Sequence, residues 1–315
     1  MSTPRAGPAP ILVVGSVALD SIETPFETRE DVLGGAAVHF SAAASVFTPV
    51  RLVAVVGRDF PLDALDILRR RGVDLEGLEI VDGPSFRWRG RYHLDMNHRD
   101  TLDLQLGVFS EFRPKLPESY LDSEVVFLAN TDPDLQLQVL GQAQAARLTA
   151  CDTIDHWITE KRTSIDELFS RVDFVFLNED EARLYADTPN LQKAAAAVLA
   201  RGCRAVLIKK GENGALVVSR GTDGRSDTFV CAAYPLEEVT DPTGAGDAFA
   251  GGVMGSLAAA RDYELASLRR AVVTGAVLAS FNVEGFGPHG LEPIDLADVD
   301  QRFEAVRAMV TLPDR

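Results

Sequence analysis

Five short apolar runs restrict this chain more than any other feature: Ile11–Gly15, Val125–Leu128, Arg147–Cys151, Phe174–Leu177 and Ala205–Ile208. A strand with one wet face alternates apolar and polar residues, whereas a strand covered on both faces reads as a continuous apolar run. Between these runs lie segments with helical patterning: Ala36–Phe47, Pro61–Arg71 with Gly72 as a stop, Asp134–Ala146 and Leu191–Ala200. Arg51–Val56 adds a further strand. Strands alternating with helices over most of a chain predict an α/β fold, a doubly wound, mostly parallel sheet with helices on both faces. That domain is expected to run from 11 to 315, behind a flexible Pro-bearing tail at 1–10.

One segment departs from the rhythm. From Phe86, residues 86, 88, 90, 92 and 94 (Phe, Trp, Gly, Tyr, Leu) alternate with Arg87, Arg89, Arg91, His93 and Asp95. After a turn around Met96–Asp100, Leu102, Leu104, Leu106 and Val108 alternate with Asp103, Gln105 and Gly107. The period of two predicts a hairpin with one apolar face. A lone hairpin is marginal, so that face must be covered. The expected arrangement is a small lid sheet inserted from about 20–33 and 86–110. Its aromatic face would pack another sheet, making the chain a homodimer through the lid, or would stack a ring of the substrate. The arginine row reads as a solvated face, with attraction of an anionic substrate as the alternative.

Charge excludes one class of partner. Lys plus Arg total 31 against 47 for Asp plus Glu, a net charge of −16, and nucleic acid binding requires the opposite balance. No stretch reaches the roughly 18 uncharged apolar residues of a membrane span, and no apolar leader precedes Ile11, so a cytoplasmic location is the default expectation. Cys151, Cys203 and Cys231 form no Cys-x-x-Cys pair and read as reduced core thiols.

Chemistry concentrates in Asp241-Pro-Thr-Gly-Ala-Gly-Asp247-Ala-Phe-Ala-Gly-Gly252. Gly244 and Gly246 permit a tight turn, and the small residues from Ala248 begin a helix. The amides of Gly244, Ala245 and Gly246 would then point out of a helix N-terminus, where orphan donors and the helix dipole favour an anion. A carboxylate at 247 would repel a phosphate as a ligand, but it suits a base that takes a proton from a hydroxyl attacking that phosphate. An ordinary Asp is already ionised at neutral pH and needs no tuning for the task. The blander alternative is a Gly-rich turn with a dipole-stabilising Asp in the first helical turn. Neither the dinucleotide fingerprint nor the Gly-Lys-Ser/Thr phosphate loop is present here.

The segment resembles the C-terminal signature of the ribokinase-like (PfkB) carbohydrate kinase family. Three further segments resemble its motifs in order: Gly34-Gly35-Ala-Ala, Asn178-Glu-Asp-Glu181, and Lys209-Lys-Gly211-Glu-Asn-Gly214. The resemblance implies an α/β domain with a β lid and transfer of the γ-phosphoryl group of ATP to an alcohol. By position it implies Asp247 as base and Gly244, Ala245 and Gly246 as the anion hole. It places Asn178 and Glu181 with Mg²⁺, although the same pair reads equally as a helix cap with its capping-box partner. Lys209, Gly211, Gly214 and Thr243 fall beside the nucleotide, and Asn282 either faces the nucleobase or caps a helix. A monovalent cation is left open.

For the acceptor, Gly15-Ser-Val-Ala18-Leu-Asp20 is similar to a motif the family writes with Asn where Ala18 stands. Asp20 is kept as a hydroxyl acceptor. His39 replaces a second frequent Asn, so ribose itself is in doubt. Gly34 and Gly35 would offer backbone amides to substrate hydroxyls. Asn130 and Asp152 follow strands at the edge where open α/β sheets bind ligands. A sugar is the leading acceptor, a nucleoside or polyol the alternative, and a non-catalytic ligand-sensing descendant the remote one.

Overall fold

The computed structural model describes residues 7–221 and 226–312. In chain order the strands are β1 (Ile11–Val14), β2 (Ala18–Glu23), β3 (Thr28–Gly34), β4 (Val50–Gly57), β5 (Asp74–Val81), β6 (Arg87–Tyr92) and β7 (Arg99–Gln105). They continue with β8 (Val125–Leu128), β9 (Leu148–Asp152), β10 (Phe174–Asn178), β11 (Ala205–Lys209), β12 (Ala215–Arg220) and β13 (Ser226–Cys231). The helices are α1 (Ala36–Ala44), α2 (Asp66–Arg70), α3 (Pro133–Gln142), α4 (Asp155–Glu160) and α5 (Arg162–Arg171). After them come α6 (Glu179–Ala186), α7 (Leu191–Leu199), α8 (Ala245–Ala260), α9 (Leu265–Asn282) and α10 (Leu296–Val310).

Nine strands form the main sheet in the order β13-β12-β11-β10-β9-β8-β1-β4-β5. Every neighbouring pair from β5 to β11 is parallel, and β12 and β13 close one edge antiparallel. The apolar runs behave as their composition requires. Ile11 and Val13 enter one core with α1, α8 and α9, while Leu12 and Val14 enter the opposite core with α3, α5 and α7. The sequence had no run to mark β5, because an edge strand reading Asp-Leu-Glu-Gly-Leu-Glu-Ile-Val leaves its charges in water.

Glycines in α8 set its depth. A side chain at Gly251 would overlap the carbonyl of Phe40 in α1, and one at Gly255 would lie 2.9 Å from the Phe47 ring. The small residues of both helices let their backbones approach, which fixes the start of α8 over the end of the sheet. The expected tail at 1–10 divides. Residues 1–6 lie outside the described residues, but Ala9 is buried, donates to Ala258 O at 3.2 Å and accepts from Thr48 Oγ1 at 2.6 Å.

The lid is a four-stranded sheet ordered β3-β2-β6-β7, with β2 parallel to β6 and antiparallel to β3. The register sets Asp20 beside Trp88, and Tyr92 opposite Arg99. A bulge between Arg89 and Gly90 breaks the alternation expected of the second strand. Leu102, Leu104 and Leu106 are all exposed, so the apolar face expected of this strand is open to solvent.

Candidate active site

The sheet order reverses at β1, whose neighbours β8 and β4 lie on either side, so the carboxyl ends of β1, β8, β9, β10 and β11 form the crevice of a switch point. Asn130, Asp152, Asn178 and Lys209 stand at these ends, and α8 begins above them. Gly244 caps α8 with φ 73°, the left-handed region where glycine alone is unstrained, and a side chain there would overlap the His39 ring. Ala245 N–H turns back to Pro242 O at 3.3 Å, so the expected three-amide nest loses one member to the turn itself. Gly246 is in the first turn, where geometry provides no intrahelical acceptor for its amide.

Asp247 is half-buried under that turn, beside a cluster built on Lys209. The Lys209 ammonium pairs with Asp152 at 2.5 Å, and a side chain at 246 would come within 3.1 Å of it. Burial works against this ammonium, but Asp152, Glu181 and Asp247 outweigh it and hold its pKa above the ordinary value. One lysine cannot neutralise three carboxyls. Burial and the Asp152 charge therefore push Asp247 up to about 7, and burial pushes Glu181 up to about 8. The expectation of an untuned Asp247 is corrected by these neighbours. Asp152 is 3% exposed and fastened to Lys209, so both groups engage each other within the crevice.

Asn178 and Glu181 form a complete capping box on α6. The Asn178 oxygen accepts from the amides of Asp180 and Glu181 at 2.9 and 2.8 Å, so its acceptor capacity is used and only Glu181 keeps oxygen lone pairs for a cation. Gly211 and Gly214 diverge. Gly211 meets the lid turn, since a side chain there would lie 2.7 Å from Asn97 Oδ1. A side chain at Gly214 would overlap the carbonyl of Cys231, so the close approach of β13 requires glycine here.

Behind the catalytic turn lies a buried polar bridge. Asn282, fully buried, donates through Nδ2 to Thr243 O at 2.9 Å, which leaves its Oδ1 to accept from His39 Nδ1 at 2.8 Å. His39 Nε2 is then the bare acceptor nitrogen, buried and unpartnered. Burial lowers the His39 pKa and keeps the ring neutral. The sequence points His39 to the acceptor and leaves Asn282 between the nucleobase and a helix cap. Their burial instead makes them the support on which Gly244 rests. Asp241, also buried, accepts from Thr243 N at 2.9 Å and Gly287 N at 3.0 Å, pinning the loop from the other side.

The acceptor side is built by the lid. Asp20 on β2 is 4% exposed, and Gly34 has no side chain because one would overlap the Asp20 carboxyl. Burial and the nearby Asp241 raise Asp20 to about 7, with the Gly35 amide opposing. That amide faces Asp20, while the next two donate to Ser16 Oγ at 3.0 Å and Ser16 O at 3.1 Å, so these three amides have partners within the protein. Asn130 keeps Oδ1 buried without a partner. From β6, Tyr92 OH reaches Thr243 Oγ1 at 3.0 Å, fastening lid to catalytic loop. Trp88 lies across Gly90, whose missing side chain would collide with the indole, and its Nε1 donates to Thr101 Oγ1 at 3.2 Å. Phe86 stacks on Phe109 at 5.3 Å. Of the aromatic residues on this face, Tyr92 is thus buried against the loop before α8 and Phe86 packs on Phe109, while the Trp88 indole stays half-exposed. Arg89 and Arg91 both pair with Glu23, and Arg87 with Asp31, as a solvated face does.

Among the described residues no helix is long and apolar enough to cross a membrane, and no three Asp, Glu, His or Cys side chains gather as a metal cage. Residues 11–293 match the pfkB family carbohydrate kinase profile. The chain is 32% identical over 260 residues to a cytidine kinase of Thermococcus kodakarensis, covering 81% of this chain and 90% of that one. Its fold superposes on the Burkholderia thailandensis nucleoside kinase solved with inosine, with a TM-score of 0.76 at 22% identity over 95% of this chain and 99% of the other. It superposes similarly on Arabidopsis thaliana ribokinase complexed with ribose and ATP, with a TM-score of 0.77 at 19% identity over 94% and 99%. The sequence match and the shared motifs together make the chain a member of the pfkB carbohydrate kinase family, an ATP-dependent kinase that phosphorylates an alcohol group of a small molecule.

Proposed function

We propose that the acceptor is a nucleoside. The observation that carries this reading is the Trp88 indole, laid flat over Gly90 in register with Asp20, so that an aromatic platform and a hydroxyl-binding carboxyl share one face. A sugar ring can also lie on an indole, but a nucleoside engages both groups at once, its base on the indole and its ribose on Asp20. The relatives named for cytidine and nucleoside phosphorylation support the same choice.

In the proposed reaction the acceptor hydroxyl oxygen forms a new bond to the γ-phosphorus of ATP while the bond from that phosphorus to the β–γ bridging oxygen breaks. ADP leaves with the electron pair, and the hydroxyl proton passes to an Asp247 carboxylate oxygen. The first turn of α8 faces the charge that develops on the transferring group. The surplus of carboxyls over Lys209 fits a divalent cation, and Glu181 is the residue with acceptor capacity left to hold Mg²⁺, which would neutralise the phosphates it accompanies.

The test is a panel of cytidine, uridine, adenosine, inosine, ribose, fructose and myo-inositol, read as ADP formed. At least one nucleoside is expected to exceed ribose tenfold in kcat/KM; a free sugar or polyol at the head of the panel removes the nucleoside reading. Trp88→Ala should lower kcat/KM for the best nucleoside by roughly 5- to 150-fold, the equivalent of about 1–3 kcal/mol of stacking, with the KM for ATP unaltered.

The raised Asp247 carboxyl also sets a pH dependence. A protonated base cannot accept the hydroxyl proton, so kcat/KM for ATP, which reports the free enzyme, should rise with pH through a limb near 7 and fall about tenfold per pH unit below it. A limb near 4 would show that Asp152 and burial do not act on Asp247 as described.

A further inference from the structure

Lys209 is the last residue of β11, in register with Asn178 at the end of β10, yet its ammonium pairs with Asp152 at the end of β9. Neighbouring strands lie about 4.8 Å apart, so the side chain runs sideways across the end of β10 to reach its partner. The start of α8 lies against that path. A methyl group at Gly246 would stand 3.1 Å from Nζ and 3.3 Å from Cδ, which sets the ammonium beside the turn that faces the transferring group. An ammonium offers three N–H donors. Asp152 Oδ2 takes one at 2.5 Å, and no second acceptor lies within hydrogen-bond distance among the described residues. Asp247 and Glu181 act on Lys209 by charge, without a hydrogen bond. Two N–H groups therefore remain, on a side chain 17% exposed and surrounded by the base, Glu181 and the first turn of α8.

We propose that Lys209 is a further catalytic residue whose ammonium contacts an oxygen of the γ-phosphoryl group during transfer, and that Asp152 is the positioning residue that holds it there. The moving group carries negative charge on its three equatorial oxygens throughout, and a compact point charge with rotatable donors follows it from ADP to the acceptor. Asp152 has a second effect. By holding the ammonium it keeps Lys209 from closing onto Asp247, whose carboxylate must stay open to the hydroxyl proton. The bonds made and broken are those of the phosphoryl transfer set out above, and Lys209 gives up no proton. The inference rests on that transfer and not on the identity of the acceptor.

The experiment compares Lys209→Met and the double variant Asp152→Asn, Lys209→Met with the unmodified enzyme, using whichever compound the panel shows to be phosphorylated fastest. Lys209→Met strands the buried Asp152 carboxyl, so a loss in this variant alone does not separate chemistry from folding. The double variant replaces the ion pair by two uncharged groups and should melt within about 5 °C of the unmodified enzyme. Both variants are expected to lower kcat by about 10²- to 10³-fold, as loss of an oxyanion donor does, with both KM values within about threefold. In parallel, the affinity for ADP with Mg²⁺ and aluminium fluoride, divided by that for ADP with Mg²⁺, should fall about tenfold or more in both. That ratio needs no knowledge of the acceptor, so a panel that finds a pentose, or finds nothing, unseats the nucleoside reading and leaves this measurement intact. Recovery of kcat in the double variant would make Lys209 a mere counterion of Asp152 and overturn the proposal. An unchanged affinity ratio, or a raised KM for ATP at unaltered kcat, would overturn it equally.

Discussion

Replacing Asp247 by Asn is expected to lower kcat by about 10²- to 10⁴-fold while leaving the affinity for ATP as high as before, or higher. The amide matches the carboxyl in size and removes only the capacity to take a proton. The surroundings dictate the rest. Asp247 shares Lys209 with Asp152 and Glu181, and its carboxyl is pushed up to about 7 by burial and by Asp152, so the charged form is one the fold resists. Deleting that charge relieves the cluster, and thermal unfolding should shift upward or stay in place. Turnover and stability therefore move in opposite directions, which a structural role for Asp247 does not allow. Turnover measured at saturating ATP and acceptor, together with a melting curve, checks both halves; retained turnover removes Asp247 from the base role.

Gly244→Ala is expected to damage fold and function together. The added methyl group would have to sit at φ 73° and would overlap the His39 ring, which has no room to retreat because Nδ1 is held by Asn282. A left-handed residue costs about 1–2 kcal/mol and an overpacked core contact about 1–3 kcal/mol, so a loss of roughly 2–5 kcal/mol in unfolding free energy is anticipated. Displacing the turn should also cost about 10²- to 10³-fold in kcat, as loss of an anion-hole donor does. Gly246→Ala is the control. Its backbone is helical, and the new methyl would face the end of a flexible lysine at 3.1 Å, so its stability should change by less than about 1 kcal/mol. Denaturant unfolding of the two variants decides the matter, and equal losses would mean that the His39 contact is not what requires glycine at 244.

Sequence reasoning recovered the sheet because burial on both faces leaves a local mark, a continuous apolar run, that needs no knowledge of partners. It missed β5 for the complementary reason: its edge position lets it keep Glu76 and Glu79 in the pattern. The lid hairpin was legible from its period of two, yet which surface its aromatic face meets was not. That depends on the parallel pairing of β2 with β6, which joins residues 68 positions apart, Asp20 with Trp88. The turn at the start of α8 was legible since its motif is contiguous. The bond between His39 and Asn282 was not legible, because a polar side chain in a family motif position looks the same whether it binds a ligand or another buried polar group.

The hydrogen bond from His39 to Asn282 joins positions 243 residues apart. During synthesis, at roughly 5–20 residues per second, α1 leaves the ribosome on the order of ten to fifty seconds before the end of α9 follows it. Throughout that interval the His39 ring lacks its Asn282 partner, and the turn holding Asp247 is either unmade or unsupported. The nascent polypeptide is therefore unable to spend ATP, and the ability arrives only when almost the last helix docks.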